Sequence, residues 1–447
     1  MQRKAIKQAT PSKQVIHFRY EDRQHIERDV VLVPINILRF RKDNGRIISD
    51  VISYERDKGV LVETSSEAQD VLRELLEKKD PEMTNKLINS IRRYGQKDPA
   101  IITADGFLIN GNRRKMALMK LYETTKDDVH TWMKVVILPG EKDQGGPPTL
   151  KEIEQIENRY QLQEEGKSEY YKFDRALTIR KKEQIGMSLE EQLRDDPNYA
   201  HLSEKEFVKE VKKWREEYLQ PLNCIDKYLE LLNRKGLYTT ISTGMTDREG
   251  RWQAFYDYYD NVKKKLDNEI ERMKLGVEED EIGDIEEVAF KIIRKRELLS
   301  NLPKVHKVMR DLPKLLKNDE AKKKLLKILD VDLDLSDEDI IEGDEEIDER
   351  KKDIKWGQKN ETKIIGPLNE AYHLYQYGKN QDTPIKLLEE ALKKLNHENM
   401  DSDAIKIFEN ERAMKLAQEI EKRAQELKNE FYKRMKMTSK LHGKNQF

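Results

Sequence analysis

The chain has 447 residues, 38% charged and 36% hydrophobic, enough for roughly two to four domains with buried cores under heavily solvated surfaces. Lys plus Arg (85) nearly cancels Asp plus Glu (86), which excludes a globally basic nucleic-acid binder and leaves any DNA contact to a local patch. No run of about 18 apolar residues occurs, Met1-Gln2-Arg3-Lys4 leads into no apolar stretch, and Cys224 is the only cysteine; the expectation is a cytoplasmic protein without membrane span, secretory signal, intrachain disulfide or cysteine-based zinc site.

Residues 1–29 are polar and basic, interrupted only by His17-Phe18-Arg19-Tyr20, and are expected to form an arm or irregular edge. Val30-Val31-Leu32-Val33-Pro34 is a β-branched run stopped by proline, a strand signal. Arg39 to Ile47 then sets basic residues around Asn44-Gly45-Arg46, either an anion-facing loop or a solvated hairpin tip. The spacing predicts one helix over Ser66–Leu76, with Ala68, Val71, Leu72, Leu75 and Leu76 on one face, and a second from Pro81 to Gly95. Asp98 to Thr103 and Phe107-Leu108-Ile109 are strands about the Asp105-Gly106 turn, and Trp132 to Leu138 is a closing strand.

Between these strands, Gly111-Asn112-Arg113-Arg114 opens a helix. Backbone N–H groups and the helix dipole place positive charge at such a start, two guanidinium forks suit phosphate oxygens, and glycine permits close approach. The alternative is an ordinary strand-to-helix turn with surface arginines.

Beyond the break at Gly145-Gly146-Pro147-Pro148, Thr149 caps a helix carrying Ile153, Ile156, Glu157 and Asn158. Glu164 to Lys182 continues helical, and Ser188/Glu191 and Ser203/Glu206 are capping boxes on either side of an acidic turn, Asp195 to Tyr199. Cys224 falls in an apolar helical pattern and reads as a packed thiol. Trp252, Phe255, Tyr256, Tyr258 and Tyr259 cluster on a helix, where a core seam and a base-stacking platform compete. Glu286–Leu299 and Lys304–Leu329 are amphipathic helices, Asp330 to Arg350 an acidic solvated linker, and Leu368–Gln376 with Pro384–Leu395 a helical hairpin. Ala413, Ala417, Ile420, Ala424, Leu427 and Phe431 alternate four and three apart, fitting either a bundle helix or a dimerisation helix.

The runs "VVLVPINILRF", "LINSIRRYGQKDPAIITADGFLINGNRRKMALMKLY" and "MKVVILP" resemble, in order, the N-terminal domain of the ParB/sulfiredoxin superfamily, over roughly Val30 to Leu138. The resemblance implies an α+β fold, a ParB/sulfiredoxin-like N-terminal domain followed by a mainly α-helical C-terminal region. It further implies a nucleoside triphosphate (CTP or ATP) held by Gly111, Asn112, Arg113 and Arg114, with Asn44 and Arg46 from the earlier loop. Glu157 and Asn158 match the start of the family's segment that meets Mg²⁺ with the nucleotide, although Tyr160-Gln161 does not restore its end. Asn112 stands where an acidic residue is usual, favouring binding over hydrolysis by a CTPase or ATPase. No cysteine lies in the motif, so sulfiredoxin chemistry is rejected.

A helix-turn-helix follows in ParB-like clamps, so Lys209, Lys212, Lys213 and Arg215 become candidate DNA contacts, diluted by Glu210, Glu216 and Glu217. The expected organisation is an arm (1–29), the ParB/sulfiredoxin-like domain (30–145), a helical domain with a degenerate helix-turn-helix as one reading (146–235), a helical region (236–329), an acidic linker (330–360) and C-terminal helices (361–447). The resulting expectation is a nucleotide-gated, DNA-associated factor that dimerises through its C-terminal helices and acts in DNA maintenance or defence against foreign DNA. A nuclease or phosphoryl-transfer enzyme of the same fold, and a degenerate scaffold for a protein partner, are the alternatives; no catalytic residue is assigned.

Overall fold

The computed structural model describes residues 6–16, 26–79, 81–143, 145–162, 171–194, 196–241, 245–298, 302–335, 349–397, 400–401, 405 and 409–442. His17-Phe18-Arg19-Tyr20, Glu164-Glu165, Tyr170, Asp195 and the acidic runs at 337–339 and 344–346 lie outside them. Residues 1–374 and 375–447 form two compact units, described in turn.

The first unit is built around one four-stranded sheet in the order β1-β2-β4-β3. Here β1 is Lys7–Ile16, β2 Ile26–Pro34, β3 Ala100–Ile102 and β4 Trp132–Ile137. β2 lies antiparallel to both β1 and β4, with Val31 opposite Val135, and β3 runs parallel to β4, with Ile101 opposite Val136. Of the arm or irregular edge expected over residues 1–29, Lys7–Ile16 is an edge strand of the sheet. Its polar sequence hid it, as edge strands carry polar residues on their solvent side and need no continuous apolar run. Phe107 and Leu108 do not build a full strand: they make single bridges to Arg39 and Ile102.

Two glutamines replace missing strand partners. Gln96 Oε1 accepts from the Lys134 N–H (2.7 Å) and its Nε2 donates to the Lys134 carbonyl (2.8 Å). Gln69 does the same for the Phe40 N–H (2.7 Å) and carbonyl (2.9 Å). Both meet backbone groups that would otherwise be buried without partners.

Helices α1 (Ile48–Lys58), α2 (Ser66–Lys78), α3 (Pro81–Tyr94) and α4 (Asn112–Thr125) bury one sheet face through Val51, Leu72, Ile91, Met116 and Leu121. The stretch 48–58, which follows the Asn44–Arg46 turn, is helix α1. On the opposite face, Val30, Ile101, Ile109 and Val136 pack against Ile156 of α5 (Leu150–Leu162).

The helical remainder starts with α6 (Lys172–Gln184), α7 (Leu189–Arg194) and α8 (Pro197–Ala200), which occupies part of the expected acidic turn. A capping box of Ser203 and Glu206 starts α9 (Glu204–Trp214), which passes through a π-turn at Arg215–Leu219 into α10 (Gln220–Leu231). Met245–Tyr258 is α11, followed by a second π-turn (Tyr259–Lys263), α12 (Lys264–Leu266), α13 (Glu269–Lys274), α14 (Ile282–Lys295), α15 (Val305–Leu316) and α16 (Asp319–Leu326). Trp252, Phe255 and Tyr258 are buried, and Phe255 and Tyr258 meet Phe290 at ring distances of 6.2 and 5.4 Å. The aromatic cluster is therefore a core seam. Burial pushes the Cys224 thiol up to about 12, as expected of a packed cysteine.

The acidic linker expected over residues 330–360 ends in α17 (Glu349–Lys359), whose Asp353 and Trp356 are core residues. Asp353 is 2% exposed and pairs through Oδ1 with Arg234 and Arg294, both at 2.9 Å, while Arg296 approaches Oδ2 at 3.7 Å. Charged composition concealed a buried face made of one carboxylate and one indole.

The helical hairpin expected from Leu368–Gln376 and Pro384–Leu395 is instead a single helix, α18 (Glu361–Leu395). A proline removes one helical hydrogen bond but need not end a helix supported by turns on both sides. In the second unit, α19 is Asn410–His442. No helix among the described residues is long and apolar enough to cross a membrane.

Candidate functional site

The glycine turn lies where β3 hands over to α4. Asn110 Oδ1 accepts from the Ile101 N–H (2.9 Å), which pins the turn to the strand, and Gly111 has φ +87°. A Cβ on Gly111 would stand 2.7 Å from Ala100 Cβ and 3.1 Å from Met133 Cε, so the position is closed to any side chain. Asn112, the first helical residue, is 7% exposed, and its Oδ1 has no hydrogen-bond partner among the described residues. Arg113 is half-buried on the same turn. Arg114 folds back on β3, donating to the carbonyls of Asp98 and Pro99 (3.0 Å for Pro99) and to Asn110 Oδ1 (3.3 Å). Lys115 is buried too: its Nζ donates to the Leu38 carbonyl (2.6 Å) and lies 3.9 Å from the centre of the Phe40 ring. Burial first, then Arg73, pushes its ammonium down to about 8.

The Arg39–Ile47 loop is laid beside this turn by backbone bonds from Arg39 N–H to the Gly106 carbonyl and from Leu108 N–H to the Arg39 carbonyl, both 2.9 Å. Asn44 is buried and Arg46 half-buried. Asn44 Oδ1 accepts from the Arg46 N–H (3.0 Å), and its carbonyl accepts from Ile47 (3.0 Å), a local turn that leads into α1.

Helix α5 supplies the third side. Thr149 and Glu152 cap it reciprocally (2.7 and 3.3 Å). With Ile153 and Ile156 held to the sheet, Glu154, Glu157 and Asn158 follow helical spacing onto another face, where they meet the loop and α6. Arg41, 7% exposed, donates to Glu154 (2.8 Å) and lies 3.6 Å from Glu157 and 3.7 Å from Asp43. Its Nη1 has no hydrogen-bond partner among the described residues. Lys182 donates to Asn158 Oδ1 (2.9 Å), Asn158 Nδ2 donates to the Gln192 carbonyl (3.0 Å), and Lys181 pairs with Asp43.

Burial, with Glu154 adding to it, pushes the Glu157 carboxyl up to about 7, against the pull of Arg41 and Lys182. Burial also depresses Lys182, although Glu157 and Glu154 oppose it. A carboxyl that titrates near neutrality between two buried cations can give up or accept a proton at physiological pH, as acid–base chemistry requires.

The structure thus brings Gly111, Asn112, Arg113 and Arg114 onto one turn, sets the Asn44–Arg46 loop on the chain that runs beside it, and places Glu157 beside Arg41 and Asn158 against Lys182. Arg41, Glu154 and Lys182 were missed. Glu154 carried a signal, standing three residues before Glu157 on one helix face; Arg41 carried none beyond its basic neighbours. Among the described residues no group of three or more His, Cys, Asp or Glu side chains is arranged to hold a metal ion, and Asn158 Oδ1 already accepts from Lys182.

Lys209, Lys212 and Lys213 are exposed on α9, with Lys213 paired to Glu210 (3.3 Å), while Arg215 lies 3.8 Å from both Glu183 and Glu190. The adjoining groove of 380 Å³ between α7 and α9 has Phe207, Val208 and Val211 on its walls and Glu190, Glu191 and Glu204 beside Arg194. That lining carries more negative than positive charge, the wrong balance for a phosphate-facing surface. Comparison of the chain with family models, curated proteins and solved structures gives no match.

Proposed function

We propose that the chain binds a nucleoside triphosphate, CTP or ATP, where the first turn of α4 meets the Arg39–Ile47 loop, and that the bound nucleotide governs how α5 and α6 are held. The observation that carries this reading is a pair of buried groups without a hydrogen-bond partner among the described residues, Asn112 Oδ1 and Arg41 Nη1, the latter only within ion-pair distance of Glu157 (3.6 Å), on the two segments that the Arg39–Phe107 bridge lays together. An unmet buried polar group costs about 1–3 kcal/mol, more when charged; a ligand with phosphate acceptors and hydroxyl or amino donors would remove that cost. Resemblance to the ParB/sulfiredoxin superfamily over Val30 to Leu138 supports the same site and supplies the setting, DNA maintenance or defence against foreign DNA.

Calorimetric titration with CTP, ATP, GTP and ADP, each with and without Mg²⁺, tests the reading. At least one triphosphate binds the wild-type protein, and Arg113→Ala abolishes that binding. Equal, weak or absent binding in both proteins overturns it. A second reading, phosphoryl transfer or nucleic-acid cleavage at the same site, is favoured by one observation, the near-neutral Glu157 carboxyl. It requires turnover that disappears in Glu157→Gln.

A further inference from the structure

The groove between α7 and α9 has an apolar floor and an acidic rim. On α9, Phe207, Val208 and Val211 follow helical spacing onto one face. Phe207 and Val211 are buried, but Val208 is 58% exposed. Arg194 closes one end: its guanidinium lies 3.5 Å from the centre of the Phe207 ring and donates to Glu204 (2.5 Å). The uncovered floor is therefore Val208 with Val211 beside it. We propose that this groove docks a segment of a partner protein that presents an apolar anchor side chain flanked by lysine or arginine. The docking does not depend on nucleotide binding.

Charge complementarity selects this occupant. The lining sets Glu190, Glu191 and Glu204 against Arg194, and no α9 lysine lines it. The three carboxylate side chains are 50%, 47% and 79% exposed. Glu191 pairs with Lys151 (2.9 Å) and Glu204 with Arg194, while Glu190 has Arg215 at 3.8 Å. Exposed pairs of this kind are weak, and a carboxylate offers about four acceptor sites. An incoming ammonium or guanidinium joins them without displacing a buried partner. A phosphate would meet carboxylates along the rim, which sets aside nucleic acid and an anionic membrane. A second copy docking through the same face would bring Glu190 and Glu204 against carboxylates of their own kind.

Both walls are held in place by the chain itself. On α7, Gln192 donates to the Ile179 (3.2 Å) and Met187 (3.0 Å) carbonyls, and its own carbonyl accepts from Asn158 (3.0 Å). The capping box at Ser203 sets the start of α9, and Trp214 Nε1 donates to the Tyr199 hydroxyl (3.2 Å) at its end. A preformed groove has less ordering cost to meet on binding.

Fluorescence anisotropy of labelled helical peptides titrated with the full chain tests the docking. Each peptide bears a leucine, methionine or phenylalanine anchor beside lysines, and in its control glutamates replace the lysines. At least one lysine peptide binds saturably and its control does not. Val208→Glu weakens that binding roughly tenfold, because the apolar floor is lost; an association of charge alone would tighten, since the substitution adds a carboxylate. Glu190→Lys weakens it about threefold and flattens its salt dependence; an association of apolar contact alone would not respond. Both positions are exposed, so the folded chain carries either change. Tightening in V208E, no response to E190K, or no saturable binding by any lysine peptide overturns the proposal. Self-association of the wild-type chain, or binding of a DNA duplex, that V208E abolishes gives the groove to another occupant and overturns it as well.

Discussion

Replacing Glu157 with glutamine removes a titrating charge from a fully enclosed position while keeping its shape. In the folded chain burial, followed by Glu154, moves this carboxyl from its ordinary 4.5 to about 7. At about 1.4 kcal/mol per pH unit, a carboxyl displaced that far carries about 3 kcal/mol. The folded state holds the proton more tightly than the unfolded chain, so this contribution is complete below pH 4.5 and is lost as pH rises to about 7. Wild-type stability therefore falls between these limits, and the Glu157→Gln protein lacks that slope. At pH 5 the two proteins unfold at nearly the same urea concentration; at pH 8 the variant is more stable by about 1–3 kcal/mol, the lower figure allowing for the attraction of Arg41 and Lys182 that the amide forfeits. Urea titrations followed by tryptophan fluorescence at pH 5, 6, 7 and 8 read this directly, since Trp132 lies on β4 of the same sheet. A variant less stable than wild type at pH 8 would refute the reasoning, because it would mean that the ion pair with Arg41 at 3.6 Å outweighs the burial of the charge.

Other substitutions probe the frame around the site. Gly111→Ala forces a Cβ to within 2.7 Å of Ala100 Cβ at φ +87°, so it should cost about 2–4 kcal/mol in urea unfolding and weaken any triphosphate binding with it. Gln96→Ala takes both partners from the Lys134 backbone, and a loss of about 2 kcal/mol, with faster amide exchange at Lys134, is expected. Asp353→Asn strips the carboxylate charge from a site flanked by Arg234, Arg294 and Arg296 and should destabilise by about 3–5 kcal/mol, measurable as a drop in Tm that Arg234→Met in the same chain partly reverses.

Strong periodicity made α2, α3, α5 and α19 legible, and β-branched runs marked β2, β3 and β4, since both patterns arise from burial on one face. The capping boxes at Ser188 and Ser203 were equally plain, because capping is local chemistry between residues three apart. Three things were not legible. β1 was readable only as an arm or irregular edge, because its polar residues pair with β2 without an apolar signature. α17 hides Asp353 and Trp356 in charged sequence, and only the third dimension shows the arginines from α14 and the segment after α10 that make Asp353 tolerable there. Arg41 was passed over for Arg46, because nothing local distinguishes a basic residue that meets a carboxylate 113 positions downstream from one that points to solvent.

The buried charges between the loop and the helices also bear on how a ligand could act. Phe40 is clamped by Gln69, so Arg41 leaves a fixed backbone and spans to Glu154 and Glu157 on α5, while Asp43 reaches Lys181 on α6. A second polar row ties α6 to α1 and to the end of α2: Asp174 accepts from Ser49 (2.8 Å) and pairs with Lys79 (3.1 Å). Contacts of this kind are weak evidence for stability, because desolvating the charges offsets most of their attraction. They are easily redistributed when a stronger anion arrives. A triphosphate at the α4 turn would compete with Glu154 and Glu157 for Arg41, and a released Glu157, already near 7, would take up a proton rather than remain a buried unpaired charge. Under the proposed reading, binding is then accompanied by proton uptake near pH 7 and by loosening of α5 from the loop, two consequences of one displaced guanidinium. Calorimetric titration in buffers of differing ionisation enthalpy measures the first, and amide exchange along α5 measures the second. Binding with neither would leave the nucleotide site intact and remove Arg41 as the link between it and the helices.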